Sequence, residues 1–108
     1  MADEESEKTG HESAPGAPSL DVPVTFSTFL LGLSTQALLH LGEIPNPTSS
    51  QVETDLVAAK QVIDILGIVE AKTRGNLEQA EQELLESVLY DLRMKYVELA
   101  RRSAKEAT

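Results

Sequence analysis

Large apolar side chains are almost missing from residues 1–24 and then crowd into three blocks divided by Gly, Pro and Asn. In the first block, Phe26, Phe29, Leu30, Leu31, Leu33, Ala37, Leu38, Leu39 and Leu41 predict a helix from about Thr25 to Leu41. The Thr25 hydroxyl can accept from an early backbone N–H, Gly42 can close the helix in a left-handed conformation, and Pro45 and Pro47 forbid its continuation. The apolar positions cover nearly the whole circumference, so this helix needs burial on more than one side. Thr28, Gly32 and Thr35 form a line of small residues along it, where another backbone could come close.

The second block predicts a helix from near Ser50, where Ser50 and Glu53 have capping-box spacing. Val52, Leu56, Ala59, Ile63 and Leu66 then recur at helical intervals, widened by Ala58, Val62, Ile65 and Val69. Gly67 inside this run points to close packing, expected against the first helix. The run ends near Thr73-Arg74-Gly75-Asn76, with Gly75 left-handed and Asn76 able to cap the next helix. The third helix is predicted from about Leu77 to Ser103. Leu85, Val88 with Leu89, Leu92, Tyr96 and Leu99 repeat at nearly coiled-coil spacing, and Asp91–Lys95 and Glu98–Arg102 are i, i+4 pairs.

No segment alternates with period two, so the expected fold class is all-α: a small three-helix bundle or helical hairpin with a long C-terminal helix, preceded by a disordered acidic N-terminal tail. The expected boundaries are 1–24 for the tail, 25–103 for the helical domain and 104–108 for a frayed C-terminus. A tail of Glu, Ser, Pro, Gly and Ala cannot bury enough surface to offset its ordering entropy.

Charge and composition narrow the partners. The formal net charge is −9, which disfavours phosphate backbones, so no nucleic-acid partner is expected. The one basic cluster, Arg93, Lys95, Arg101, Arg102 and Lys105, suits the negative end of a helix dipole. Cysteine is absent, which removes thiolate chemistry and disulfides and fits a reducing interior. The acidic N-terminus does not read as a signal peptide, and no apolar run is long enough for a membrane span. A cytoplasmic protein with no membrane partner is the expectation.

The third helix is longer than the first, and its C-terminal half still carries Leu92, Tyr96 and Leu99. Such surplus apolar surface predicts self-association, most simply as a homodimer. The expected interface is Phe26, Phe29, Leu30 and Leu33 on the first helix with Leu85, Val88, Leu92, Tyr96 and Leu99 on the third. A groove for an unidentified protein partner is the competing explanation.

Candidates for chemistry are few. His11 lies in the tail and His40, near Glu43, at the end of the first helix, so no His pair can hold a metal. Asp64, set among Val62, Ile63, Ile65 and Leu66, could be a buried acid, but the favoured reading is structural: an Asp that faces water or pairs with a Lys or Arg across the bundle, with Arg93 or Arg74 as candidates. Lys72, Arg74 and Asn76 form the one polar cluster worth testing, as an anion site at a helix junction. No phosphate-loop, dinucleotide, zinc-protease, calcium-loop or hydrolase signature is present. The expected function is therefore a noncatalytic helical interaction protein, with no catalytic residue, cofactor or metal. The alternative is a regulator that binds a small anionic ligand through Lys72, Arg74 and Asn76.

The order and spacing of FSTFLLGLSTQALLHLGEIPNP, AAKQVIDILGIVEAKTRGNLEQAE and LLESVLYDLRMKYVEL resemble a bacterial family, domain of unknown function 1844, over roughly residues 24–100. The most telling pieces are Ile63-Asp64-Ile65-Leu66, Lys72 to Leu77 and Leu92-Arg93-Met94. Glu78 stands where the resemblance implies a Ser or Thr cap. The resemblance implies a short cytoplasmic protein and brings no activity or catalytic residue.

Overall fold

A computed structural model describes residues 22–107 as three helices: α1 (Phe26–Leu41), α2 (Leu56–Lys72) and α3 (Gln79–Ala107). The expected tail, with His11, lies outside the described residues up to position 21. All regular structure among the described residues is helical, and each helix packs on the other two.

The ends of α1 follow the sequence closely. Thr25 is extended, its hydroxyl accepts from the Thr28 N–H at 3.1 Å, and Thr28 Oγ1 accepts from the Thr25 N–H at 2.9 Å. Two otherwise orphaned donors are thereby satisfied. At the other end Gly42 adopts φ +79°, and the Glu43 N–H reaches back to the Leu38 carbonyl at 2.9 Å. This is the left-handed stop that Gly provides without a Cβ clash.

The start of α2 differs from expectation. Ser50 does not cap it: its backbone is left-handed at φ +59°, and its N–H closes a turn onto the Asn46 carbonyl at 2.7 Å. Asn46 Oδ1 also accepts from the Thr48 N–H, so an Asn-centred turn competes with helix at this point. The chain stays irregular to Asp55, whose N–H donates to the His40 carbonyl at 2.7 Å and ties the loop to the end of α1. Asp55 then caps α2, accepting from the Ala58 N–H at 3.1 Å. Val52, expected within the helix, is exposed in the loop.

The start of α3 is also later than predicted. The Asn76 N–H returns to the Thr73 carbonyl, so Asn76 closes the turn instead of capping the helix. Glu78 precedes the first turn, and its N–H donates to Glu81 Oε1 at 2.9 Å, which satisfies one donor with a carboxylate at the positive end of the dipole. Gly75 is left-handed, as expected. The helix runs past Ser103 to Ala107.

The core is wholly apolar: Leu30, Ala37 and Leu41 from α1, Ala59, Val62, Ile63 and Leu66 from α2, and Leu85, Leu89 and Leu92 from α3. Each fully buried Leu contributes about 1.5–3 kcal/mol relative to exposure. No polar or charged residue is buried among the described residues. Gly67 does pack closely, but against α3 and not α1: a Cβ there would lie 3.3 Å from the Arg93 guanidinium.

Candidate functional site

Lys72, Arg74 and Asn76 come together at the α2–α3 joint, all exposed. The polar groups around them already serve the turn. Thr73 Oγ1 donates to the Val69 carbonyl at 2.7 Å, and the Thr73 carbonyl accepts the Asn76 N–H. Asp64 is exposed and not a buried acid. It accepts from Lys60 Nζ at 2.9 Å, one turn back on α2, and pairs with neither Arg93 nor Arg74. This hydrogen bond, followed by the Asp64 charge, holds the Lys60 ammonium above its ordinary range. His40 is half-buried, and its contribution is the carbonyl that receives Asp55. Among the described residues no three His, Cys, Asp or Glu side chains converge as metal ligands.

The expected interface divides into three groups. Leu30, Leu85 and Leu92 are 0–1% exposed within a single chain, so they belong to the core and are corrected as surface residues. Phe26, Leu33, Val88, Tyr96 and Leu99 are partly buried against the same core. The C-terminal stripe of α3 folds back along α2, and Leu99 lies beside Leu56 in a shallow cleft with Arg102 and Ser103. Of the nine residues only Phe29 is exposed.

Phe29 borders the open surface along the small-residue line Thr28, Gly32 and Thr35. On the outer side of α1, Phe29 and Leu31 are each 49% exposed, and nothing lies within 4 Å of a Cβ built on Gly32. Two grooves of about 370 and 420 Å³ run along this side and share Thr28, Phe29, Gly32 and Thr35. The first is walled by Val22, Pro23 and Val24, a short strap held to α1 by Thr28 Oγ1, which donates to the Pro23 carbonyl at 2.8 Å. The predicted tail boundary at residue 24 therefore cuts through this wall. Val22 and Val24, the first valines of the chain, are the sequence signal for it. Phe26 and Phe29 stack at an angle of 46° with ring centroids 6.3 Å apart. Neither groove contains a charged side chain. The line Thr28–Gly32–Thr35 lies on this open face, and Thr35 Oγ1 satisfies itself on the Leu31 carbonyl.

Residues 23–98 match the family model described as Domain of unknown function (DUF1844). The chain belongs to this family. The matched stretch opens at the Pro23 strap and spans α1, α2 and every core position of α3, so the α1 face and the core are both family territory. Arg101 and Lys105 lie beyond it. No curated protein and no solved structure matches the chain. No helix among the described residues is long and apolar enough to cross a membrane.

Proposed function

We propose that this family member is a noncatalytic helical interaction protein of the bacterial cytoplasm that self-associates through the outer face of α1. The observation that carries this reading is the uncharged, half-exposed surface at Phe29, Leu31, Gly32 and Thr35 on a chain of net charge −9. Two copies of so acidic a chain repel each other over most of their surface. A face without charge is where they can meet, and exposed apolar patches of this kind mark interaction sites. The same face carries both an apolar knob, Phe29, and an open position, Gly32. An antiparallel twofold pairing centred on Gly32 brings the two open positions together and sets each Phe29 against the small Thr35 of the other copy, which is the self-complementarity an isologous contact requires. The cysteine-free composition suits a reducing compartment. The anion-binding alternative at Lys72, Arg74 and Asn76 has no comparable support, because all three are exposed and the turn already uses the Thr73 hydroxyl and the Asn76 N–H beside them.

Sedimentation equilibrium of the full chain tests the proposal. The wild-type chain is expected at a multiple of the single-chain mass at micromolar concentration, and Phe29→Glu is expected to halve that multiple. Val57→Glu, on the exposed side of α2, leaves the mass unchanged. A wild-type mass of one chain, or a Phe29→Glu mass equal to wild type, refutes the assignment.

A further inference from the structure

α3 carries a second seam. Its core row, Leu85, Leu89 and Leu92, occupies one side of the helix. At 3.6 residues per turn, Tyr90, Met94 and Val97 fall on roughly the opposite side. They are 67%, 54% and 47% exposed. Charge brackets this apolar patch. Glu83 and Glu86 precede it and Arg101 and Lys105 follow it, all exposed. The spacing is close to symmetric about Met94: Glu83 and Lys105 lie eleven residues away on either side, Tyr90 four before and Val97 three after. A groove of about 340 Å³ runs beside the patch, lined by Asp91, Met94, Lys95, Val97, Glu98 and Arg101.

We propose that a second copy of this chain docks here, α3 against α3, antiparallel and centred on Met94. Read from N to C, the central row of Glu83, Glu86, Tyr90, Met94, Val97, Arg101 and Lys105 is acidic, then apolar, then basic, which is the complement of itself reversed, with Asp91, Lys95 and Glu98 at its flank and Glu98 held by Arg102. The antiparallel register brings Glu86 within one residue of Arg101 of the second copy and Tyr90 within one residue of Val97, and sets the acidic end at Glu83 level with the basic end of the other helix. A parallel pairing stacks acid on acid and base on base and is rejected. The apolar centre supplies the adhesion, and the charged ends set direction and register, as flanking charges do in coiled coils. This contact is independent of the α1 face. Two separate twofold contacts on one chain assemble four chains when their axes close.

Charge exchange tests it. Full chains carrying Glu83→Lys with Glu86→Lys, or Arg101→Glu with Lys105→Glu, are weighed by sedimentation equilibrium alone and as an equimolar mixture. Each variant alone is expected at half the wild-type mass. The mixture is expected to regain the wild-type mass, because acid again meets base at both ends. Simple loss of helix gives no such rescue, and circular dichroism of each variant verifies retained helicity. Raised salt shifts the wild-type chain toward the half mass by screening the ends. A variant that alone keeps the wild-type mass, or a mixture that stays at half, overturns the α3 pairing. The α1 reading is judged separately. Phe29→Glu halving the mass while both charge variants leave it intact retains α1 and discards α3. The reverse pattern retains α3 and discards α1, and single chains result when Phe29→Glu is combined with either charge variant if both contacts exist.

Discussion

Leu92→Asp is expected to unfold the chain. Leu92 is 1% exposed and packs within a core that contains no polar or charged residue to receive a carboxylate. A buried ion without a partner costs several kcal/mol after relaxation. The lost apolar burial adds about 1.5–3 kcal/mol. Together these consume most or all of the roughly 5–15 kcal/mol that holds a domain of this size. Far-ultraviolet circular dichroism reads the loss directly. Tyr90→Asp, two positions away and largely exposed, is expected to keep the helical signal. The contrast separates core from contact surface. A Leu92→Asp chain that stayed helical and merely dissociated would return Leu92 to an interface.

Gly42→Ala is expected to destabilise by roughly 2–5 kcal/mol. Left-handed backbone costs a non-glycine residue about 1–2 kcal/mol. Steric crowding adds about 1–3 kcal/mol where the neighbours cannot move away freely. A Cβ at Gly42 would lie 2.5 Å from Thr54 Oγ1 and 3.6 Å from the Glu53 carbonyl oxygen, in the loop segment that leads into Asp55 and its bond to α1. Gly67→Ala runs in the opposite direction. Its neighbour is the far end of the exposed Arg93 side chain, which can give way by a few tenths of an ångström, and Ala in a helix interior is favoured over Gly by about 0.8–1 kcal/mol. Urea midpoints of the two variants therefore fall on opposite sides of wild type. Equal shifts would mean that the loop does not seat against α1 as described.

Where local chemistry decides the backbone, the sequence was legible. Thr25 and Gly42 fix the two ends of α1 through a side-chain oxygen and a missing Cβ, whereas Gly75, left-handed as expected, serves the turn beyond the Thr73 cap of α2 and not the helix end itself. The start of α2 was not legible, because two local signals compete. Ser50 and Glu53 have the spacing of a cap, but the Asn46 turn captures the Ser50 N–H, and the tertiary bond from Asp55 to His40 sets the true beginning. Periodicity identified the apolar row of α3 correctly but not what it faces. A row spaced for a coiled coil packs equally well on a helix of its own chain, and here it does. In α1 the apolar residues encircle the helix, so spacing alone could not tell Leu30, which is buried, from Phe29, which is not. Lys72, Arg74 and Asn76 lie at the α2–α3 joint, where the residue types of a tight turn and of an anion site overlap, so residue type alone cannot separate the two.

The chain contains no cysteine, so one introduced thiol can form a disulfide only between copies. Gly32 sits at the centre of the α1 face with open space around its Cβ position, and Gly32→Cys fits there without displacing a neighbour. A disulfide requires Cα atoms about 4.4–6.8 Å apart, a separation that a twofold pairing through this face brings within reach. Under mild oxidation Gly32→Cys is expected to convert rapidly to a covalent pair on a non-reducing gel, while Val57→Cys on the exposed side of α2 remains a single chain. A Gly32→Cys chain that crosslinks no faster than Val57→Cys would contradict self-association through α1.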